Sequence, residues 1–356
     1  MLAKHHHGKG QIRVMKVFRQ PDKHYVKQFL VETNLFGPVD ECFLEGDNGG
    51  IVATDTQKNT VFCMLKKLTF ERNSAEDFAM LISKHFVTTY PKFIHQCKVI
   101  VHEETWERVD GHMSKNENQR LNHHHGFMKI GPHQNYAESY AYRDFKDGEK
   151  IKIKYLKAGV RSLTVLKTTQ SGFANFVRDQ YTALPECDER LLATSIDSTW
   201  EYDRATIEFA QDYDALKFQI KREMLDGFAG PADTGKFSAS LQETAYAMGR
   251  KVCKKVPGVS SITLFLPNIH NIPFNFNPFG LENKDHTGEP DIFWVTKEPF
   301  GIIQATVVQP KEKKDVKSLL GNMEKHVPYY NDYISKNLSM RLLQESNDVP
   351  NVPNLV

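Results

Sequence analysis

Apolar and polar positions alternate along most of this chain, and the period of the alternation changes at definite places. QIRVMKVFR and HYVKQFLVETNLFG read as strands with a Pro-Asp turn between them. GDNGG reads as a hairpin-type turn, and GIVATD as the next strand. The period lengthens over residues 74 to 91. SAEDFAMLISKHFVTTYP predicts an amphipathic helix with Ser74 as N-cap, Glu76 in the first turn and Pro91 beyond the end. QCKVIVHEETWERV alternates as a half-buried strand. Residues 110 to 135 are polar and His-rich and read as a loop, after which YAESYAYRD returns as a strand.

From about residue 150 the same order recurs. KIKIKYLKAGVRSLTVLKTTQS and LLATSIDSTWEYD predict strands. YDALKFQIKREMLDGF and SASLQETAYAMGRKVCKKV predict helices, and VSSITLFLPNIHNI and DIFWVTKEPFGIIQATV predict closing strands. Val52–Gln57 set against Val165–Gln170 gives a faint internal repeat, an apolar run emptying into Thr and Gln. The expected organisation is two domains, over 1–150 and 151–308. An appendage follows over 309–356, with Val316, Leu319, Leu320, Met323 and Val327 at helical spacing and a mobile Pro/Asn tail.

Composition narrows the function classes. With 356 residues the chain is long enough for two domains and a sizeable core. Its net charge of +2 supplies no global field to recruit nucleic acid or a membrane surface. No apolar run approaches the ~18 residues of a membrane span. The five cysteines lack CxxC or metal-ligand spacing and read as free thiols in a reducing compartment. No P-loop, GxGxxG, GxSxG or HExxH occurs. The runs His5–His7 and His123–His125 do not make a metal site, because contiguous His side chains cannot all converge on one ion.

What remains is a set of polar residues at the ends of predicted elements: Lys9, Thr54, Asp55, Arg190, Gln242, Asn268 and His270, with Phe173. Each has an ordinary reading when taken alone. Lys9 reads as a solvated Lys near the terminus, Phe173 as core, and Arg190 as an ion-pair partner of Asp188 or Glu189. Gln242 reads as a helix cap and His270 as a satisfied core His. Taken together they suit a flat, polar, anionic heterocycle. Arg grips a planar edge with two prongs, a Gln amide matches a neighbouring carbonyl and N–H, and an aromatic ring covers the face.

Several blocks in order resemble the urate oxidase (uricase) family: VATDTQKNT, LTVLKTTQSGFANFVRDQYTAL, LLATSIDSTWEY, SASLQETAYAM and LPNIH. The likeness runs from HGKGQIRV to EPFGIIQATV. It implies an α+β architecture of tandem T-fold (tunnelling-fold) domains, antiparallel sheets with helices on one side that assemble into barrels. It implies a homotetramer with active sites between subunits, urate and O2 as substrates, and no metal or organic cofactor. Carried over residue by residue, Phe173 stacks on the purine while Arg190 and Gln242 hold opposite edges. Backbone N–H groups of Leu241 and Asp55 add donors, and Leu184 lines the pocket. Lys9, Thr54 and His270 form a proton relay, and Asn268 with Thr54 holds O2 or water above the ring. Lys9, Thr54 and Asp55 come from the neighbouring subunit in this reading. A Lys can act as the base where its surroundings lower its pKa.

The family's eukaryotic members often end in an S-K-L-like peroxisomal address, whereas this sequence ends in NLV. The expected compartment is peroxisomal by resemblance, with a cytoplasmic alternative. Two other readings of function stand beside the first. One is another T-fold enzyme acting on a pterin or purine, which would use a zinc-binding His set and a Glu anchor. The other is a binding protein that kept the fold and lost the reaction.

Overall fold

The computed structural model describes residues 2–109, 112–113, 120–209 and 211–309. In chain order the elements are β1 (His7–Arg19), β2 (His24–Phe36), α1 (Asp40–Leu44), α2 (Thr54–Lys67), α3 (Ala75–Thr89) and β3 (Gln96–Arg108). Next come β4 (His112–Met113), β5 (Arg120–Leu121), β6 (Phe127–Asp144), β7 (Lys150–Lys167), β8 (Leu192–Tyr202) and α4 (Arg204–Glu208). The last are α5 (Tyr213–Ala229), α6 (Leu241–Lys255), β9 (Val259–Phe265), β10 (Asn268–Pro273), β11 (Phe293–Thr296) and β12 (Gln304–Val308).

Period-two burial builds the sheet. In β2 the side chains of Phe29, Val31, Thr33 and Leu35 are buried, and in β3 those of Cys97, Val99, Val101 and Glu103. Among the described residues ten strands form one antiparallel sheet in the order β1-β2-β3-β6-β7-β8-β10-β11, with β9 branching from β8 and pairing with β12. The sheet runs unbroken across residue 150, because β6 and β7 pair from Asp144↔Lys150 to Gln134↔Arg161. On its edge away from β7, β8 serves two partners, pairing with β9 over Asp197–Tyr202 and with β10 at Ala193 and Thr194.

The helices bury stripes spaced three or four residues apart. α3 presents Phe78, Ile82 and Phe86, all fully buried, and packs on β3, β6 and β7. Each such side chain contributes roughly 1.5–3 kcal/mol of apolar transfer. Ser74 caps α3 as expected. Its reciprocal partner in the capping box is Asp77, while Glu76 turns inward and is fully buried. α6 buries Leu241, Ala245, Met248 and Val252, and α5 packs beside it with Tyr213, Lys217, Ile220, Met224 and Phe228 inward.

Lys217 thus sits on an apolar stripe, which burial permits only because it is paired. Its Nζ lies 3.3 Å from Glu76 Oε2, 3.2 Å from Glu103 Oε2 and 3.1 Å from Asp214 Oδ1. Lys27 Nζ joins from β2, 2.5 Å from Glu103 and 2.8 Å from Asp214. The Tyr202 hydroxyl donates to Glu76 Oε1 at 2.9 Å. Burial alone would push the Lys217 pKa down. The three carboxylates outweigh it and hold the ammonium well above its ordinary value.

Four expectations change. GIVATD is not a strand, since Thr54 begins helix α2. Its buried face is Gln57, Val61, Met64 and Leu65. GDNGG therefore joins α1 to α2 and turns no hairpin. Val52–Gln57 enters a helix whereas Val165–Lys167 ends strand β7, so the faint repeat is no structural equivalence. Of the 110 to 135 stretch read as a loop, Phe127 onward belongs to β6. The chain divides at Val308, and the appendage expected there lies, from residue 310 on, outside the described residues.

Candidate active site

Two short backbone ladders assemble one half of the site. Phe173 N–H donates to the Cys187 carbonyl at 2.6 Å, and Cys187 N–H returns to Phe173 at 3.0 Å. Arg190 N–H donates to the Ser171 carbonyl at 2.8 Å, and Gly172 N–H to that of Ser238 at 3.0 Å. These bonds bring the segments around 171–173, 187–190 and 238–242 together. Gly172 is needed here, because a Cβ would approach the carbonyl oxygens of Asp188 and Cys187 to 3.0 Å. Lys167 tightens the same region from the end of β7. Its Nζ donates to the Lys236 carbonyl and to Ser238 Oγ, both at 2.7 Å.

Arg190 does not pair with Asp188 or Glu189. Its guanidinium lies 5.3 Å from the Phe173 ring centroid, and its Nε is buried with no hydrogen-bond partner among the described residues. Burial pushes its pKa down, and the neighbouring Cys187 offsets part of that. An arginine remains charged through any such shift. A buried guanidinium N–H without an acceptor costs free energy, and an anionic acceptor arriving at it would recover that cost.

Leu241 and Gln242 open helix α6. Ser240 is the N-cap, and its Oγ accepts the Glu243 N–H. The N–H groups of Leu241 and Gln242 are the first of the helix and have no intrahelical acceptor. The Gln242 side chain is exposed and that of Leu241 buried. Asn268 and His270 sit two apart on β10, hence on one face, with Asn268 opposite Thr194 of β8 and His270 opposite Thr296 of β11. Leu184 is 54% exposed on the loop before Cys187, so its own chain does not cover it.

Lys9, Thr54 and Asp55 form a second group elsewhere. Lys9 lies on β1, and Thr54 and Asp55 are the first two residues of α2. Asp55 is drawn below the usual carboxylate range by the hydrogen bond and charge of Lys58, with Asn59 and the more distant charge of Lys9 adding to this. Its carboxylate thus turns back onto its own helix, leaving the backbone N–H as the group it can offer. No side chain caps α2, since Ala53 stands at the N-cap. In sheet order β1 is six strand-to-strand steps from β10. At the usual spacing that is about 29 Å along the sheet. Along the chain's own sheet, Lys9 on β1 therefore lies far from Asn268 and His270 on β10.

Comparison with known proteins is consistent with this geometry. The uricase family model matches residues 5–139 and 156–304. The chain belongs to the uricase family. The relatives include the uricase of Arabidopsis thaliana, 39% identical over 313 residues that span 85% of this chain and 94% of that protein. Uricase-2 isozyme 2 of Glycine max is 38% identical over 311 residues, 85% of this chain and 93% of the relative. Among solved structures, the uricase of Arthrobacter globiformis aligns with a TM-score of 0.73 at 29% identity, covering 88% of this chain and 96% of that one. The architecture is accordingly the T-fold of the uricases, a mixed α+β fold around a large antiparallel sheet.

The sequence pattern did not single out several residues that brace these segments by hydrogen bonds: His7, Thr33, Gln57, Lys167 and Ser238. One signal was available. Gln57 stands on the apolar stripe of α2, where an amide needs a reason to be.

Proposed function

We infer that this chain is an oxidoreductase that oxidises urate with O2 and water to 5-hydroxyisourate and H2O2. Two electrons pass from the purine to O2, and water supplies the oxygen that adds at C5. The observation that carries the reading is the Arg190–Phe173 pair, a half-buried guanidinium beside an aromatic ring, with its Nε buried and no carboxylate partner among the described residues. Urate deprotonated to an anion would lie on Phe173, its acceptor edge on Arg190 and its opposite edge on Gln242. The N–H of Leu241, at the positive end of α6, adds an in-plane donor.

The chemistry this site must supply is proton movement and positioning. Lys9 takes a proton from the substrate through the Thr54 hydroxyl, and His270 connects the relay to solvent. Asn268 and Thr54 hold O2 or water above the ring. The roughly 29 Å along the sheet between β1, with Lys9, and β10, with Asn268 and His270, supports a further element. In this reading the active site is completed when Lys9, Thr54 and Asp55 of one copy meet Arg190, Phe173 and Gln242 of another, within a homotetramer. Pairing between copies would also cover the open edge of β1.

The test is direct. Purified protein in air should remove the ultraviolet absorbance of urate while consuming one O2 and releasing one H2O2 per urate. Activity should survive dialysis against a strong chelator. Restoration by zinc after chelation would favour the zinc-dependent pterin or purine reading. Urate binding without turnover would favour the inactive binding protein.

A further inference from the structure

An amide in the core of α2 calls for a physical account. Gln57 and Thr33 are both fully buried. The Thr33 hydroxyl donates to Gln57 Oε1 at 2.8 Å, and Gln57 Nε2 donates to the Val52 carbonyl at 3.1 Å. The same carbonyl lies 3.1 Å from His7 Nε2. Val52 stands immediately before Ala53, the uncapped N-cap of α2. The start of the helix is therefore fixed by a side chain reaching back from Gln57.

The device matters because of what it leaves open. A Ser or Asp at position 53 would cap the helix by taking an N–H one or two residues into it, at Asp55 or Thr56. The Gln57 clamp pins the same turn and leaves those donors, and the Thr54 hydroxyl, facing outward. Thr33 carries the register to Lys9. The two are opposite each other in the β1–β2 ladder, and the Thr33 hydroxyl is 3.4 Å from both the nitrogen and the carbonyl oxygen of Lys9. Directly after Lys9, Gly10 and Gln11 face the single residue Glu32, a bulge in which Gln11 takes the left-handed φ of 57°. The bulge interrupts the ladder directly after Lys9, and Thr33 is the residue that pairs with Lys9 at its edge.

We propose that Gln57 and Thr33 are positioning residues that set the distance and angle between the Lys9 ammonium and the Thr54 hydroxyl. The proposal rests on the function inferred above, since it concerns the proton relay of that reaction. The pair touches no substrate and acts through β1 and the first turn of α2. Its loss should slow proton transfer more than it weakens urate binding, which Arg190, Phe173 and Gln242 govern. A misplacement of about 1 Å can cost on the order of 100-fold in rate.

The experiment compares Thr33→Val and Gln57→Met, which keep volume and remove the hydrogen bonds, with the conservative Thr33→Ser. Ser83→Ala serves as control, because Ser83 and Ser139 form another buried hydroxyl pair, 2.9 Å apart under α3. Thr33→Val and Gln57→Met should each lower kcat at least tenfold while KM for urate stays within about threefold. Their pH profiles of kcat should shift, and the double variant should be no worse than either single one. Thr33→Ser should retain most of kcat. Ser83→Ala should lose thermal stability only. Hydrogen exchange supplies a readout independent of turnover. The Lys58 and Asn59 amides, bonded in the first turn of α2, should exchange at least tenfold faster in the Val and Met variants. Wild-type kcat and unchanged exchange in those variants would overturn the proposal. A wild-type protein that leaves urate intact would sink the inferred function, and the exchange result would still decide whether the clamp fixes the helix start.

Discussion

The guanidinium of Arg190 and the ring of Phe173 are held 5.3 Å apart by backbone ladders that neither side chain makes. The bonds Phe173–Cys187 and Arg190–Ser171 set the separation, so the cation is placed beside the aromatic face before any ligand arrives. Preorganisation of this kind lowers the ordering cost of binding.

Replacing Arg190 by Lys should therefore cost far more than its conserved charge suggests. A point ammonium cannot reproduce the planar fork. The expected loss in kcat/KM is about 2 kcal/mol, roughly 30-fold, the scale of a charge-assisted hydrogen bond. Steady-state assays on urate check it, and a Lys variant with wild-type kcat/KM would remove Arg190 from the site.

The proposed sharing of the site between copies predicts complementation. Thr54→Ala and Arg190→Ala should each be nearly inactive alone. In hybrid oligomers, intact Arg190 from the first chain can meet intact Thr54 from the second. At equal mixing with random assembly about a quarter of sites should be whole. Arg190→Ala mixed with Gln242→Ala should stay inactive, because both lesions fall in the same half. A dead first mixture, with hybrids verified by mass, would mean that the pocket is built within one chain.

The parts of this fold legible in the sequence were those where period and burial agree. α3, α5 and α6 show apolar stripes with N-caps at Ser74, Asp212 and Ser240, and β2, β3 and β8 alternate cleanly. α2 was misread because its stripe starts with Gln57 and its preceding residues, Ile51 to Ala53, imitate a strand. The continuity of the sheet across residue 150 depends on β6 pairing with β7, and alternation within a strand does not name its partner. The buried ionic cluster was invisible for a related reason. Glu103 and Lys217 occupy positions where hydropathy predicts an apolar residue, and their contact with each other and with Lys27, Glu76 and Asp214 explains them. The site residues came from ordered motifs that resemble a family. Composition suggested a planar anion and could not have arranged Lys9 and Arg190 in different half-sites.

Lys217→Met should be severely destabilising. It removes the one ammonium paired with Glu76 among the described residues and leaves Glu103 with Lys27 alone, a loss of about 3–5 kcal/mol for breaking a buried ion pair. Calorimetry should show Tm lowered by roughly 5 °C. Glu76→Gln should be mild by comparison, because burial outweighs the attraction of Lys217 and raises the Glu76 pKa, whereas the pKa of Glu103 is lowered. If both variants melt like wild type, the cluster contributes nothing to stability.

Acid should weaken the same cluster with a definite sign. Burial would raise the Asp214 pKa, but Lys217 and Lys27 hold it down to about 2. A carboxylate whose folded pKa lies below its unfolded value near 3.9 stabilises the fold above about pH 4. That stabilisation is lost as pH falls from about 4 toward 2. Glu103 shifts in the same direction because the ammonium groups of Lys217 and Lys27 overcome its burial. Tm should decline through this window, and Asp214→Asn should flatten the decline by about 1 kcal/mol after allowance for the partly exposed carboxylate. Equal slopes for variant and wild type would refute this assignment.

The cluster also decides what a protein engineer could do with this chain. Its five charges come from positions 27, 76, 103, 214 and 217, so any cut near residue 150 separates them. A leading fragment would keep Glu76 and Glu103 with Lys27 as their one remaining cation of the five, and a trailing fragment would keep Lys217 with Asp214. Each piece would also carry a raw 18-residue strand, β6 or β7, stripped of its neighbour. Expressed separately the pieces should be insoluble, and expressed together they should reassemble, which makes the β6–β7 turn a natural place to split the molecule into a two-part reporter.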